Sequence, residues 1–171
     1  MDELRRKTPE LFRASDKFPL VLVLDNIRSM MNTGSVFRTS DAFLLEGIIL
    51  CGFTATPPHR EIHKTALGAT ESVAWKYFEK TTEAIRQLKD EGYTIIALEQ
   101  ATNSQNIKDF HPEKGRRYAL VLGNEVKGVD DAVLALCDTC LEIPQFGTKH
   151  SMNVSVSAGI VVWDFFNKLK P

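Results

Sequence analysis

The chain has 171 residues, 43% of them hydrophobic, which is enough to bury the core of one domain without disulfides or metals. Its formal net charge of −1 and pI near 6.4 exclude a globally basic nucleic-acid binder while leaving room for local basic patches. No apolar run reaches the roughly 18–20 residues of a membrane span, no signal-peptide core follows the charged start, and three cysteines cannot pair fully within one chain, so a cytoplasmic protein in a reducing compartment is expected.

Residues 1–19 read as a short charged extension of a single domain spanning 1–171. Residues 20–24 are a continuous β-favouring run ended by Asp25-Asn26, as in a strand buried on both faces of a parallel sheet. Asn32-Thr33-Gly34 leads into a helix presenting Val36, Phe37, Ser40 and Phe43, and residues 47–51 form the next strand, giving a β-α-β unit. Pro57-Pro58-His59-Arg60 opens a long, basic, exposed loop that runs through residues 65–69 to a short strand at 73–78. Residues 82–91 form an amphipathic helix with Ala84, Ile85 and Leu88 on one side and Gly92 closing it, followed by a strand at 93–98. A polar connection at 103–110 precedes a buried strand at 118–122, which ends in Gly123-Asn124-Glu125-Val126-Lys127-Gly128. A short helix at 130–136, a last short strand at 141–143 and a final helix at Val154–Leu169, apolar almost all round and buried on several faces, complete the chain. Helices alternating with strands throughout imply an α/β domain with a mainly parallel sheet flanked by helices.

Ser151, Asn153, Ser155 and Ser157 stand at the start of that oily final helix. Burying such groups without partners costs about 1–3 kcal/mol each. Helix capping accounts for part of the pattern, but one cap does not account for four polar residues alternating with apolar ones. Cys137-Asp138-Thr139-Cys140 has the spacing of a zinc or redox motif, yet no second pair completes four ligands, so two semi-buried cysteines at a helix-to-strand junction are expected and no metal. In open α/β sheets ligands bind at the carboxyl ends of strands, which directs attention to the loops after Leu24, Leu98, Leu122 and Ile143. Neither GxGxxG nor GxxxxGK[ST] is present, which disfavours a classical dinucleotide fold and a P-loop enzyme.

The block Asn32-Thr33-Gly34-Ser35-Val36-Phe37-Arg38-Thr39-Ser40 resembles the first signature of the SpoU/TrmH family. Leu122-Gly123-Asn124-Glu125-Val126-Lys127-Gly128-Val129 resembles the second, and residues 143–157 the third, so the resemblance runs from about Leu20 to Phe166. These are RNA ribose 2'-O-methyltransferases of the SPOUT superfamily, dependent on S-adenosylmethionine. The resemblance implies a C-terminal trefoil knot, a homodimer, and a cofactor pocket at Leu98, Gly123, Ile143, Ser151 and Met152. The residues suit that assignment: strand-end amides and carbonyls can bond an adenine, and Leu98, Ile143 and Met152 offer apolar walls.

The same resemblance makes Arg38 the catalytic candidate, as transient proton acceptor or as stabiliser of a developing alkoxide, since a guanidinium with a pKa above about 12 is a poor base in water. Asn32, Glu125 and Asn153 would position it, and Ser155 and Ser157 fall to packing or capping. Arg60, His63 and Lys64 are the foremost RNA-binding candidates. Further positive charge comes from Arg5, Arg6, Lys7, Arg13, Lys17, His59, Lys114, Arg116, Arg117, Lys149 and His150. The expected substrate is a structured RNA, tRNA first, with rRNA as the alternative. A catalytically silent RNA-binding relative is a further alternative, disfavoured by the joint presence of Asn32, Arg38, Glu125, Ser151 and Asn153.

Overall fold

Strand β1 (Phe18–Asp25) packs Leu20, Leu22 and Leu24 into one hydrophobic cluster and Val21 and Val23 into another, as its unbroken apolar run requires. The structure, a computed structural model, describes residues 7–149 and 151–170. Arg5, Arg6 and His150 therefore lie outside the described residues. After β1 come α2 (Met30–Ala42), β2 (Leu45–Cys51), α3 (Arg60–Ala66), α4 (Ala69–Ser72), β3 (Trp75–Phe78), α5 (Thr81–Asp90) and β4 (Tyr93–Leu98). Then follow β5 (Gln105–Asn106), a 3-10 turn, β6 (Arg117–Leu122), α6 (Asp131–Leu134), β7 (Thr139–Glu142) and α7 (Val154–Leu169), while α1 (Pro9–Ala14) precedes β1.

The strands form one seven-stranded sheet in the order β3-β2-β1-β6-β4-β7-β5, with every described pairing parallel. β6 is inserted between β1 and β4, registering Leu24 with Leu122 on one side and Leu98 with Leu122 on the other. Leu141 of β7 lies beside Leu98 on the far side of β4. The carboxyl ends of β1, β6, β4 and β7 are thus contiguous. Residues of α2, α3 and α7 pack on one face of the sheet, and those of α5 and α6 on the other.

Three expectations change. The described part of the N-terminal extension, residues 7–19, packs on the domain: Thr8 caps α1 by accepting from the Leu11 N–H, Phe12 is buried, and β1 already begins at Phe18. The basic segment after Pro58 is helix α3, because His59 Nδ1 accepts from the Glu61 N–H as its cap and Ile62 and Ala66, four residues apart, are buried together. And α7, expected to be buried on several faces, keeps an apolar stripe exposed. Val154, Ala158, Val161, Val162 and Phe165 face the core, whereas Val156, Ile160 and Trp163 are 53%, 39% and 54% exposed.

Cys137 and Cys140 are free thiols lying between α6 and β7 and within β7. Burial pushes the Cys137 thiol up to about 12 and raises that of Cys140 as well, so neither is a thiolate near neutral pH.

Gly34 lies where α2 meets α3, and a Cβ there would fall 2.1 Å from Thr65 Oγ1 and 2.3 Å from the Ile62 carbonyl oxygen. Gly34→Ala is expected to lower the unfolding free energy by about 1–3 kcal/mol, the ordinary cost of overpacking. Urea denaturation measures it, and a wild-type midpoint would show that the two helices part freely.

Candidate active site

The turn after β6 is built from backbone outward. Asn124 and Gly128 exchange N–H···O bonds of 3.0 and 2.8 Å, and the Asn124 side-chain oxygen accepts from the N–H groups of Val126 and Lys127 at 3.0 Å each. Gly123 cannot carry a side chain, because its Cβ would lie 2.3 Å from the Gly128 carbonyl carbon. Gly128 has φ of 72°, and a Cβ there would lie 2.2 Å from Glu99 Oε2. Asn124 Nδ2 also donates to the Asn26 carbonyl at 2.7 Å, fastening the turn to the end of β1.

This turn aims Glu125 at the first turn of α2. Its carboxylate accepts from the Arg28 N–H at 2.9 Å, the Ser29 N–H at 3.0 Å and Asn32 Nδ2 at 3.1 Å. A negative charge is stabilised at a helix N-terminus, where unpaired N–H groups and the helix dipole converge. Burial raises the carboxyl pKa, but the N–H groups of Arg28, Glu125 itself and Ser29, then the Asn32 amide, outweigh it and hold the value below the ordinary glutamate range.

Asn32 continues the chain of bonds. Asn153 Nδ2 donates to Asn32 Oδ1 at 3.1 Å, and Asn153 Oδ1 accepts from the N–H groups of Ser155 and Val156 at the start of α7. Ser155 Oγ donates to the same oxygen at 2.7 Å, which fits its expected capping role. Asn32 itself lies inside α2, whose N-cap is Ser29, rather than before the helix. Asn32 bonds Glu125 and Asn153, and neither it nor Glu125 has a bond to Arg38 among the described residues.

Beside this chain lies a cavity of about 290 Å³. Leu98, Gly123, Ile143, Ser151 and Met152 all line it, so the structure brings the five expected pocket residues to one place. Ser157, expected to serve packing or capping, lines it too. Glu99 and Glu142 are wall residues that sequence reasoning missed. Glu99 accepts from the Val129 N–H at 3.0 Å, and Glu142 from Ser104 Oγ at 2.8 Å. Their signal was position alone: each is a carboxylate at the carboxyl end of a strand, where ligands bind in such sheets.

Arg38 stands apart from this cavity. It is exposed on α2, six residues and so about 9 Å along the axis from Asn32, in a second depression with Ser35, Phe43, Lys64 and Thr65. Of the expected RNA-binding residues, Arg60 and His63 are exposed on α3, while Lys64 is paired with Glu61 at 2.7 Å. Among the described residues there is no group of three or more His, Cys, Asp or Glu side chains that could hold a metal ion, and no helix is long and apolar enough to cross a membrane.

The sequence profile of the SpoU rRNA Methylase family matches residues 19–163. The 23S rRNA (guanosine-2'-O-)-methyltransferase RlmB of Neisseria meningitidis serogroup B is 35% identical over 144 residues, covering 84% of this chain and 56% of that protein. An AdoMet-bound rRNA methyltransferase from Sinorhizobium meliloti superimposes with a TM-score of 0.83 at 25% identity, over 97% of this chain and 62% of that one. A TrmH/SpoU tRNA modifying enzyme from A. aeolicus shares the fold, with a TM-score of 0.80 at 23% identity over 94% of this chain and 79% of its own. The chain spans about 56–61% of the length of the first curated relatives it matches.

The Glu125 clamp has a pH signature. Its folded pKa lies below its unfolded value, so the clamp contributes fully above the ordinary glutamate value of 4.5 and is lost as pH falls through the folded value. Between about pH 6 and about pH 3, wild-type protein should therefore lose more stability than Glu125→Gln. Hydrogen-exchange protection of the Arg28 and Ser29 amides, measured relative to the intrinsic rate at each pH, should fall over the same range. Parallel stability curves for the two proteins would refute the assignment.

Proposed function

The chain belongs to the SpoU rRNA Methylase family, and from that premise we propose that it is an S-adenosylmethionine-dependent methyltransferase acting on a ribose 2'-hydroxyl of a structured RNA. The observation that carries this reading is the bonding of three separate segments at the edge of one cavity: Glu125, from the turn after β6, lines it and holds Asn32 of α2, which in turn holds Asn153 at the start of α7. The cavity's chemistry suits the cofactor. Leu98, Ile143, Met152 and Val154 offer apolar walls for an adenine, and Glu99 and Glu142 offer acceptors to hydroxyl and amino groups. When bound, the cofactor supplies an electrophilic methyl group.

The chain's own residues supply placement and charge. Glu125 and Asn153 hold Asn32 in one orientation beside the cavity, where its amide can orient an incoming ribose or phosphate. Arg38 is exposed and has no ion pair among the described residues. Its guanidinium serves as a cation for the alkoxide that develops as the ribose hydroxyl passes its proton to solvent water and its oxygen takes the methyl group. Because Arg38 lies off the cavity of its own subunit, the reading includes a homodimer. The exposed stripe Val156, Ile160 and Trp163 of α7 supports it, and the Trp163 and Phe43 rings are 6.0 Å apart, which joins that stripe to the Arg38 depression. A trefoil knot is part of the same reading, supported by the late insertion of β6 between β1 and β4 before the chain returns to the outer edge of β4.

The RNA is proposed to be tRNA. The likeness to RlmB favours rRNA as the second reading. Purified protein is expected to transfer tritiated methyl from the cofactor to unmodified tRNA or rRNA, and nuclease digestion should yield a 2'-O-methylated nucleoside. Arg38→Ala should reduce transfer at least about 100-fold, the scale of a lost transition-state donor, while calorimetric cofactor binding stays unchanged. Cofactor binding without transfer to any RNA would favour the silent RNA-binding relative. Trp163→Asp should convert the dimer to monomer in sedimentation, and an unchanged mass would locate the interface elsewhere.

A further inference from the structure

We infer that Phe146 is a stacking platform for an unstacked RNA base next to the ribose that enters the site, an inference that rests on the RNA-modifying reading above. Phe146 is 96% exposed, far beyond Phe53, Tyr77 and Trp163, the other exposed aromatic rings, at 62%, 47% and 54%. Single exposed apolar residues are ordinary on protein surfaces, so location has to separate this one from the rest. Its chain neighbour Gln145 lines the cavity, and five and six residues on, Ser151 and Met152 line it again. The ring therefore rides on the segment that walls the cavity and is itself turned to solvent.

The surroundings identify the class of occupant. Exposed Gly147, Thr148 and Lys149 follow Phe146, and Lys127, on the turn after β6, lines the same cavity and is also exposed. Neither lysine has an ion pair among the described residues. A protein partner would want a contiguous apolar surface such as the stripe on α7. One exposed ring, with an exposed lysine three residues on in its own segment and another on the turn that lines the same cavity, instead matches the two needs of a single-stranded nucleotide, a π-face for the base and positive charge for the phosphate. Every base has such a face, so this contact would select an unpaired, splayed-out nucleotide and leave its identity to other residues.

The test compares Phe146→Leu, which keeps apolar bulk without the π-face, with Phe146→Trp. Base stacking is worth about 1–3 kcal/mol by truncation, so Phe146→Leu should raise KM for RNA roughly 5- to 150-fold. Its kcat, its cofactor affinity and its sedimentation should match wild type, and Phe146→Trp should restore KM. A second readout needs no methyl transfer: wild-type protein should change the fluorescence of a 2-aminopurine-containing single-stranded oligonucleotide, and Phe146→Leu should abolish that change. If wild type methylates no RNA but the fluorescence difference holds, the enzymatic reading fails and the stacking platform stands. Equal KM or equal fluorescence for wild type and Phe146→Leu overturns the platform. A changed oligomeric state of Phe146→Leu also overturns it, by assigning the ring to contact between copies of the chain.

Discussion

Glu125 accepts from two backbone N–H groups and one side-chain amide at the first turn of α2, and that carboxylate fixes the directions of the bonds that follow. Because Asn32 gives its Nδ2 to Glu125, its oxygen is left facing Asn153, which must then offer Nδ2. Asn153 is left with its own oxygen toward the N–H groups that open α7. Reversing either amide would set two oxygens against each other, so the polarity propagates from a single charge. The residue of one loop thus orients two helices that are far apart in sequence.

The sheet makes this relay possible. By lying between β1 and β4, β6 delivers the Gly123–Gly128 turn to a point within reach of both α2 and the carboxyl end of β4. Glu99 braces the turn from the β4 side through Val129, and Asn26 braces it from the β1 side through Asn124. The cavity wall is consequently backbone held from two directions, a stiff arrangement for positioning a reacting group. The opposite faces of α7 divide a similar labour, one packing on the sheet and the other presenting an apolar stripe to solvent.

Much of this was legible in order along the chain. Unbroken apolar runs marked β1, β4 and β6, and the pattern from Val154 to Leu169 gave α7 its observed bounds. Of the five residues expected in the pocket, Gly123, Ile143, Ser151 and Met152 lay in the motif blocks and Leu98 at the end of a readable strand, and all five line the cavity. What escaped depended on distant partners. The place of β6 between β1 and β4 is a long-range pairing that periodicity does not encode, and β5 is two residues long. Helix α3 is capped by a histidine ring nitrogen, a cap outside the usual Ser, Thr, Asp and Asn set. Glu99 escaped because its bond to Val129 exists only once β4 and β6 are side by side. The exposed side of α7 escaped for a related reason: apolar residues that stay on the surface and those that pack in the core look the same in a sequence.

The central position of β6 also bears on how the chain is made. A ribosome delivers β1, β2, β3 and β4 before residues 117–122 exist, so the nascent chain carries an open inner edge on β1 that its eventual neighbour cannot yet cover. Asn153 emerges later still, and until it does Asn32 has no partner for its oxygen. The relay is therefore completed only once residue 153 has been made, and a chain stalled before it holds most of the sheet and the Asn32–Glu125 bond but not the link to α7.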